Sequence, residues 1–405
     1  MQLYTLVFNI VLALSFLLNP MSFSPNISHL RIEDGAGDVK SYTLYYLIGV
    51  YANVSHVDES LDFIIPPNIT GHLLNQTSSI LMMEGDFILV HSDGIHAVLP
   101  LNLSRGAFGV FLVKVNLSVI KFIPKVKGYK VYLDSIPEDI IKDYVHEPDP
   151  IVFAFREELA EYLINYSVRR DEVVQMAYYL ATYIMHTFIY VPGTLPRSIE
   201  EVVKSRMGDC DDLSTLFMEL MWSYRIPCQL EYVGIFLKGS SKDLHIGKMN
   251  FHFTNIGRHA YALVFIGMDW LPVDITYCEE DNVFYASRYI EKIIVFERSK
   301  LPVNRTEVEE FLDFARRNFV EVWEELYDDE EVAMRRAKEL HERLRSLVEE
   351  RVRDPILPKE SKDEALEQYD ISVIEDVLVK LTFIVIVILI IAILIFRKAS
   401  TKEEI

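Results

Sequence analysis

Gly208-Asp209-Cys210-Asp211-Asp212-Leu213-Ser214-Thr215-Leu216-Phe217-Met218-Glu219-Leu220-Met221 is the stretch on which the reading of this chain turns. Leu213, Leu216, Phe217, Leu220, Met221 and Tyr224 recur at steps of three and four, the spacing of a helix with one apolar face. Cys210 therefore stands in the first helical turn. The macrodipole and the free backbone N–H groups there stabilise a thiolate and can face an oxyanion. Asp209, Asp211 and Asp212 push the other way, since nearby carboxylates raise a thiol pKa, so activation must come from a separate base, usually histidine. A cysteine taken alone is more often a buried structural residue; the helix-start position sets Cys210 apart.

Downstream, Ile226-Pro227 leads into an expected strand, Gln229 to Phe236, followed by an expected polar loop through Lys248. A second strand begins at His259 and alternates through Tyr261, Leu263 and Phe265, and Trp270 to Asp274 begins a third. Cys, His and Asp thus follow in order at 210, 259 and 274, and neighbouring strands under one helix can assemble them as nucleophile, base and orienter. His245 and His252 are rivals for the base, and the Trp-X-X-X-Asp spacing favours His259. Upstream, Ser198-Ile199-Glu200-Glu201 has capping-box spacing and opens a short helix that delivers the chain to Gly208. Helical spacing runs through Phe153 to Ile164 and Val173 to Met185, after a break at His146-Glu147-Pro148-Asp149-Pro150.

These pieces carry a resemblance. Phe188 and Tyr190, Ser198-Ile199-Glu200-Glu201-Val202-Val203, Gly208 to Asp212, Arg225-Ile226-Pro227, His259-Ala260-Tyr261 and Trp270 to Asp274 are weak singly and specific in this order. From about Asp171 to Tyr277, about a quarter of the chain, the sequence resembles a transglutaminase-like domain of the papain-like thiol enzymes. The resemblance implies an α+β papain-like transglutaminase core over 150–300, with a helix bearing Cys210 packed on a small antiparallel sheet. It also implies Cys210 as nucleophile, His259 as base and Asp274 as the residue that orients it. The aromatic after His-Ala, commonly Trp in the family, is Tyr261, and the acid often found two residues on is Leu263, so substrate contacts do not transfer. Tyr190 is the candidate for a side-chain oxyanion donor. Nothing resembles a calcium loop, and no metal or cofactor is expected. The implied chemistry is attack on a peptide, isopeptide or glutamine amide, with hydrolysis favoured over cross-linking because water is abundant outside the cell. The alternative is a silent transglutaminase-like binding or scaffold module.

Residues 27–146 alternate in short runs, Tyr42 to Val50, Asp86 to Val90, Phe108 to Val115 and Val126 to Leu133, which read as a separate β-sandwich-like domain. Residues 305–368 read as a helical stalk and linker. One helix opens at Thr306-Glu307-Val308-Glu309 and carries Phe311, Phe314, Phe319 and Trp323; the next has Ala333, Ala337, Leu340, Leu344 and Leu347 in a heptad run. The segment 332–348 either packs on its own domain or joins chains as a coiled coil.

Eight of the fourteen asparagines lie in Asn-X-Ser/Thr triplets: Asn26, Asn53, Asn68, Asn75, Asn102, Asn116, Asn165 and Asn304. Chance would give roughly one or two, so they read as glycosylation sites in an extracytoplasmic space. They are bracketed by residues 1–24, a signal peptide or an uncleaved signal anchor, and by an apolar span over 377–396 long enough for one transmembrane helix. Glu375 and Asp376 precede that span and Arg397, Lys398 and Lys402 follow it, which places the tail 397–405 in the cytoplasm and the rest outside the plasma membrane. The net charge of −20 argues against nucleic acid as a partner; the expected partners are a surface protein or peptide substrate and the lipid membrane. Three cysteines are too few for a disulfide scaffold, and Cys228 and Cys278 read as paired with each other or buried.

Overall fold

The computed structural model describes residues 39–54, 59–91, 94–101, 106–192, 196–302 and 305–353. The expected signal segment, the linker from 354, the span 377–396, the tail 397–405 and Asn26, Asn102 and Asn304 lie outside the described residues. Among the described residues no helix is long and apolar enough to cross a membrane.

The architecture is mixed α+β, organised by one large sheet. Its strands are β1 (Val39–Asn53), β3 (Leu74–Gly85), β6 (Ala107–Ile120), β9 (Cys228–Ile246), β10 (Met249–Phe265), β11 (Trp270–Val273), β12 (Ile293–Ser299) and β13 (Phe319–Tyr327). They run in the order β12-β9-β10-β13-β1-β6-β3, with β11 beside β10, and all pairings are antiparallel except β10 with β13. The sheet curls until its ends meet. Gln76 of β3 donates through Nε2 to the Val295 carbonyl of β12 (2.8 Å) and accepts the Val295 N–H at Oε1 (2.8 Å), so one buried amide replaces a ladder step between the two edges. Two smaller sheets complete the β structure, β2 (Ser60–Ile64) with β5 (Ile95–Pro100) and β4 (Ile88–His91), and the parallel pair β7 (Ile189–Tyr190) with β8 (Met207–Gly208).

This topology differs from the separate sandwich expected for 27–146. β1, β3 and β6 lie in the same sheet as β9 and β10, and β13, from the region expected to be a stalk, pairs with β1 on one side and β10 on the other. Phe319 and Trp323, expected on a helix, belong to that strand. Val320, Val322 and Trp323 to Leu326 are buried, as in a central strand covered on both faces. Val126 to Leu133 forms no strand, because its buried residues Val126 and Val131 are five apart and cannot share one strand face. The expected loop after Phe236 is the outer half of β9, where exposure alternates with partial burial and the hairpin turns only at Gly247.

The helices are α1 (Glu138–Tyr144), α2 (Pro150–Asn165), α3 (Val173–Thr187), α4 (Ile199–Ser205), α5 (Cys210–Ser223), α6 (Ser287–Ile290), α7 (Arg305–Arg317) and α8 (Glu330–Arg353). Helix α8 sets its heptad residues Ala333, Ala337, Leu340 and Leu344 against Tyr45, Leu47, Val110, Leu112 and Trp323 on the outer face of the sheet. Those positions are thus buried within the chain, each leucine contributing about 1.5–3 kcal/mol. The approach is close enough to require glycine at position 49, since a Cβ there would lie 2.3 Å from Leu340 Cδ2. Helix α5 is buried along its length between the sheet and helices α2, α3 and α4.

Candidate active site

Residue 208 must be glycine for α5 to begin where it does. A Cβ at that position would come within 2.9 Å of the Asp212 Cβ and 3.0 Å of Leu213. Asp209 then caps the helix by a reciprocal box, its Oδ1 accepting the Asp212 N–H (3.4 Å) while Asp212 Oδ2 accepts the Asp209 N–H (3.2 Å). Cys210 is the first helical residue, as expected. All three flanking aspartates are buried, which the sequence did not show. Asp212 in addition accepts the Arg197 backbone N–H (2.7 Å) and pairs with its guanidinium (2.5 Å), so it ties the loop before α4 to the thiol helix and does more than favour a helix start.

The electrostatics at Cys210 oppose ionisation. The side chain is 1% exposed, and burial first, then Asp209 and Asp211, hold the thiol well above its ordinary pKa, against a lowering by a backbone hydrogen bond from Ala260. Burial likewise pushes Asp211 and Asp212 up to about 6. Activation of the thiol therefore has to come from a separate base. Among the described residues, Asp209, Asp211 and Asp212 form the one group of His, Cys, Asp or Glu atoms close enough to share a cation, all within 4.8 Å. Asp209 and Asp212 are already committed to the capping box and Arg197.

His259 follows from β10. It is fully buried, and its Nε2 lies 2.8 Å from Asp274 Oδ2. Asp274, at the end of β11, receives three backbone N–H groups as well: Thr276 (3.3 Å) and Tyr277 (2.9 Å) on Oδ1, and Ser287 (3.1 Å) on Oδ2. With its oxygens already accepting three backbone N–H groups, Asp274 faces His259 as an acceptor too, so Nε2 is the ring nitrogen that donates to it and Nδ1 is the other. The structure thus brings His259 and Asp274 into direct contact. The Cys210 thiol meets the chain at Ala260, the residue after that histidine. The rivals do not converge: His252 Nδ1 bonds Asp243 Oδ1 (2.8 Å) and its ring stacks on Trp323, while His245 Nδ1 bonds Asn250 (2.6 Å), all on the outer half of the β9–β10 hairpin.

Tyr190 pairs with Gly208 across β7 and β8, and its side chain remains 37% exposed. Burial first, then the neighbouring Cys210 and the three aspartates, hold its phenol above the ordinary tyrosine range, so it stays an O–H donor. Tyr261, the family departure, donates to Glu231 (2.6 Å), which also binds Arg298 (2.8 Å) and faces Arg288 (3.5 Å) in a buried network behind His259. The Tyr277 ring lies 5.9 Å from the imidazole and is half-buried. Sequence reasoning missed the Asp274 donors and the Glu231 network. Backbone N–H groups carry no residue-type signal, and Glu231 alternates like any strand residue. All three cysteines are free: Cys228 is buried at the start of β9, and Cys278, half-buried, has its Sγ 3.7 Å from Met185 Sδ.

Residues 162–275 match the transglutaminase-like superfamily model, so the middle of the chain carries a domain of that superfamily. Among solved structures, a candidate cysteine protease from Cytophaga hutchinsonii is similar at 10% identity and a TM-score of 0.41, over 72% of this chain and 88% of that one. A candidate protease from Parabacteroides distasonis is similar at 10% identity and a TM-score of 0.23, over 60% of this chain and 48% of that one. No curated protein matches the chain.

Proposed function

We propose that this protein is a cell-surface thiol enzyme that cleaves amide bonds, of peptide, isopeptide or glutamine type, through Cys210, His259 and Asp274. The observation that carries the reading is the 2.8 Å His259–Asp274 bond, with Asp274 held by three backbone donors and the thiol against the next residue of the same strand. In this reading His259 Nδ1 takes the thiol proton as sulfur attacks the carbonyl carbon. The imidazolium then returns that proton to the leaving amine, giving a thioester. Water, deprotonated by the same nitrogen, attacks the thioester and releases acid and thiol; an amine in place of water would complete a transfer. In this reading Tyr190, paired with Gly208 next to the thiol helix, supplies a donor to the oxyanion.

Deep burial of both Cys210 and His259, with a thiol pKa raised well above normal, favours a second reading, a silent module used for binding or scaffolding. Single-turnover acylation by a generic activated ester separates the two. The enzyme reading expects a covalent adduct lost in Cys210→Ala and slowed in His259→Ala; the scaffold reading expects none on Cys210.

Placement outside the cell, with one span over 377–396, is part of the proposal. Asn68, Asn75, Asn116 and Asn165 are exposed and Asn53 is half-buried, which supports their use as acceptors. Protease added to intact cells should remove the ectodomain and leave the tail 397–405; cleavage of the tail from outside would overturn this topology.

A further inference from the structure

Between α2 and α3 the surface is aromatic. Tyr162 contacts Tyr166 (ring centroids 4.8 Å apart), Tyr183 (5.0 Å) and Tyr179 (6.4 Å), and Tyr166 contacts Tyr179 (5.2 Å). The cluster lies at the edge of the core, against which Tyr162, Tyr179 and Tyr183 pack. Tyr166 is 55% exposed and its neighbour Ile164 68%, while Tyr162, Tyr179 and Tyr183 are half-buried. The outer part of the cluster, Tyr166 with Ile164, is open to a covering group. The covering group is written into the same turn of chain. Asn165 closes α2, its side chain is exposed, and with Tyr166 and Ser167 it forms a glycosylation triplet.

We propose that Asn165 carries an N-linked glycan whose first sugar rings lie on Tyr162, Tyr166 and Tyr179. Tyr162 stands three residues before Asn165 on the same helix, so it shares the face from which the sugar departs. A pyranose presents a face of C–H groups, which matches the electron-rich face of a phenol ring, and an edge of hydroxyls, which needs polar partners. Those partners stand one step further along α2. Glu158 accepts from the Tyr183 hydroxyl (3.0 Å) and pairs with Arg206, and its seven-residue offset from Asn165 corresponds to about 10 Å along the helix, within reach of a second sugar. Asn116 stands in different surroundings, bonded through its Oδ1 to Thr43 and flanked across strands by Thr77.

This inference rests on the extracytoplasmic placement and is independent of the proposed triad. The test is glycopeptide mass spectrometry on the full chain purified from its native membrane, together with tetranitromethane nitration of wild type, Asn165→Gln, Ser167→Ala and Asn116→Gln. The expected result is a glycan on Asn165, with Tyr166 and Tyr179 nitrated several-fold faster in Asn165→Gln and Ser167→Ala and unchanged in Asn116→Gln. Two different residues remove the same triplet, so a local effect of either substitution shows as disagreement between them and refutes the sugar as the cause. An unmodified Asn165 with glycans at other triplets overturns this proposal alone. No glycan at any triplet overturns the extracytoplasmic placement with it. A glycan on Asn165 that leaves the nitration of Tyr166 the same as in the two variants also refutes the seat.

Discussion

Asp274→Asn changes one atom and sets two demands against each other. Asp274 accepts from His259, Thr276, Tyr277 and Ser287, and an amide has one acceptor oxygen where the carboxylate has two. If the oxygen keeps Thr276 and Tyr277, the amide nitrogen faces the Ser287 N–H and His259 Nε2, which are both donors. The imidazole then turns to its other tautomer, with the proton on Nδ1, where the base lone pair is needed. Loss of the orienting carboxylate costs about 10⁴ in kcat in the serine triad that serves as the general precedent, and a similar fall, roughly 10³–10⁴, is expected here. One unsatisfied buried donor and one lost charge-assisted bond should cost about 2–4 kcal/mol of stability, a fall in Tm of roughly 2–5 °C for a chain of this size. The assay is single-turnover acylation by a 4-nitrophenyl ester well below the Tm of the variant, with thermal unfolding measured alongside. A folded variant that acylates within about threefold of wild type, where a fall of roughly 10³–10⁴ is expected, would refute the reasoning.

Other perturbations probe the surrounding structure. Asp211 has its folded pKa raised, to about 6, above the unfolded value, so its contribution is present in full below the unfolded pKa and lost as pH rises through about 6. Asp211→Asn should therefore stabilise the protein at pH 7–8 by up to about 3 kcal/mol and flatten the pH dependence of denaturant midpoints between about pH 4 and 6. The same substitution removes a charge that holds the thiol up, so the pH profile of Cys210 alkylation should move to lower pH. Arg197→Ala leaves Asp212 buried without its cation and should cost about 2–3 kcal/mol in urea unfolding, a partly exposed guanidinium being worth less than a fully buried one. Gly49→Ala forces Leu340 off its place at a cost of about 1–3 kcal/mol, and adding Leu340→Ala should cost less than the sum of the two single changes; strict additivity would mean that the contact is not made.

Local signals carried the site further than they carried the fold. The capping box at Ser198, the helix that starts at Cys210, and the order of Cys210, His259 and Asp274 are all short-range patterns, and the structure forms the helices and joins His259 to Asp274. What sequence could not show is which strand lies beside which. β13 inserts between β1 and β10, a pairing of residues more than 250 apart from β1, and no periodicity in either segment specifies it. The same blindness made the outer half of β9 look like a loop, since its exposed face is polar, and left open whether the heptads of α8 meet a second chain or their own domain. Burial is the other missing quantity. The sequence already sets Asp209, Asp211 and Asp212 against the thiolate, but their burial, which strengthens that opposition, comes only with the fold.

The central claim, that Cys210 is a nucleophile served by His259, is tested most directly by locating the acyl group. The full chain is incubated with an activated acyl ester, quenched in acid, digested, and each of Cys210, Cys228 and Cys278 is read by mass spectrometry. The account predicts acylation of Cys210 at a rate that falls steeply in His259→Ala, although Cys278 is the more exposed thiol. Acylation of Cys278 ahead of Cys210, or a Cys210 rate indifferent to His259, would contradict it.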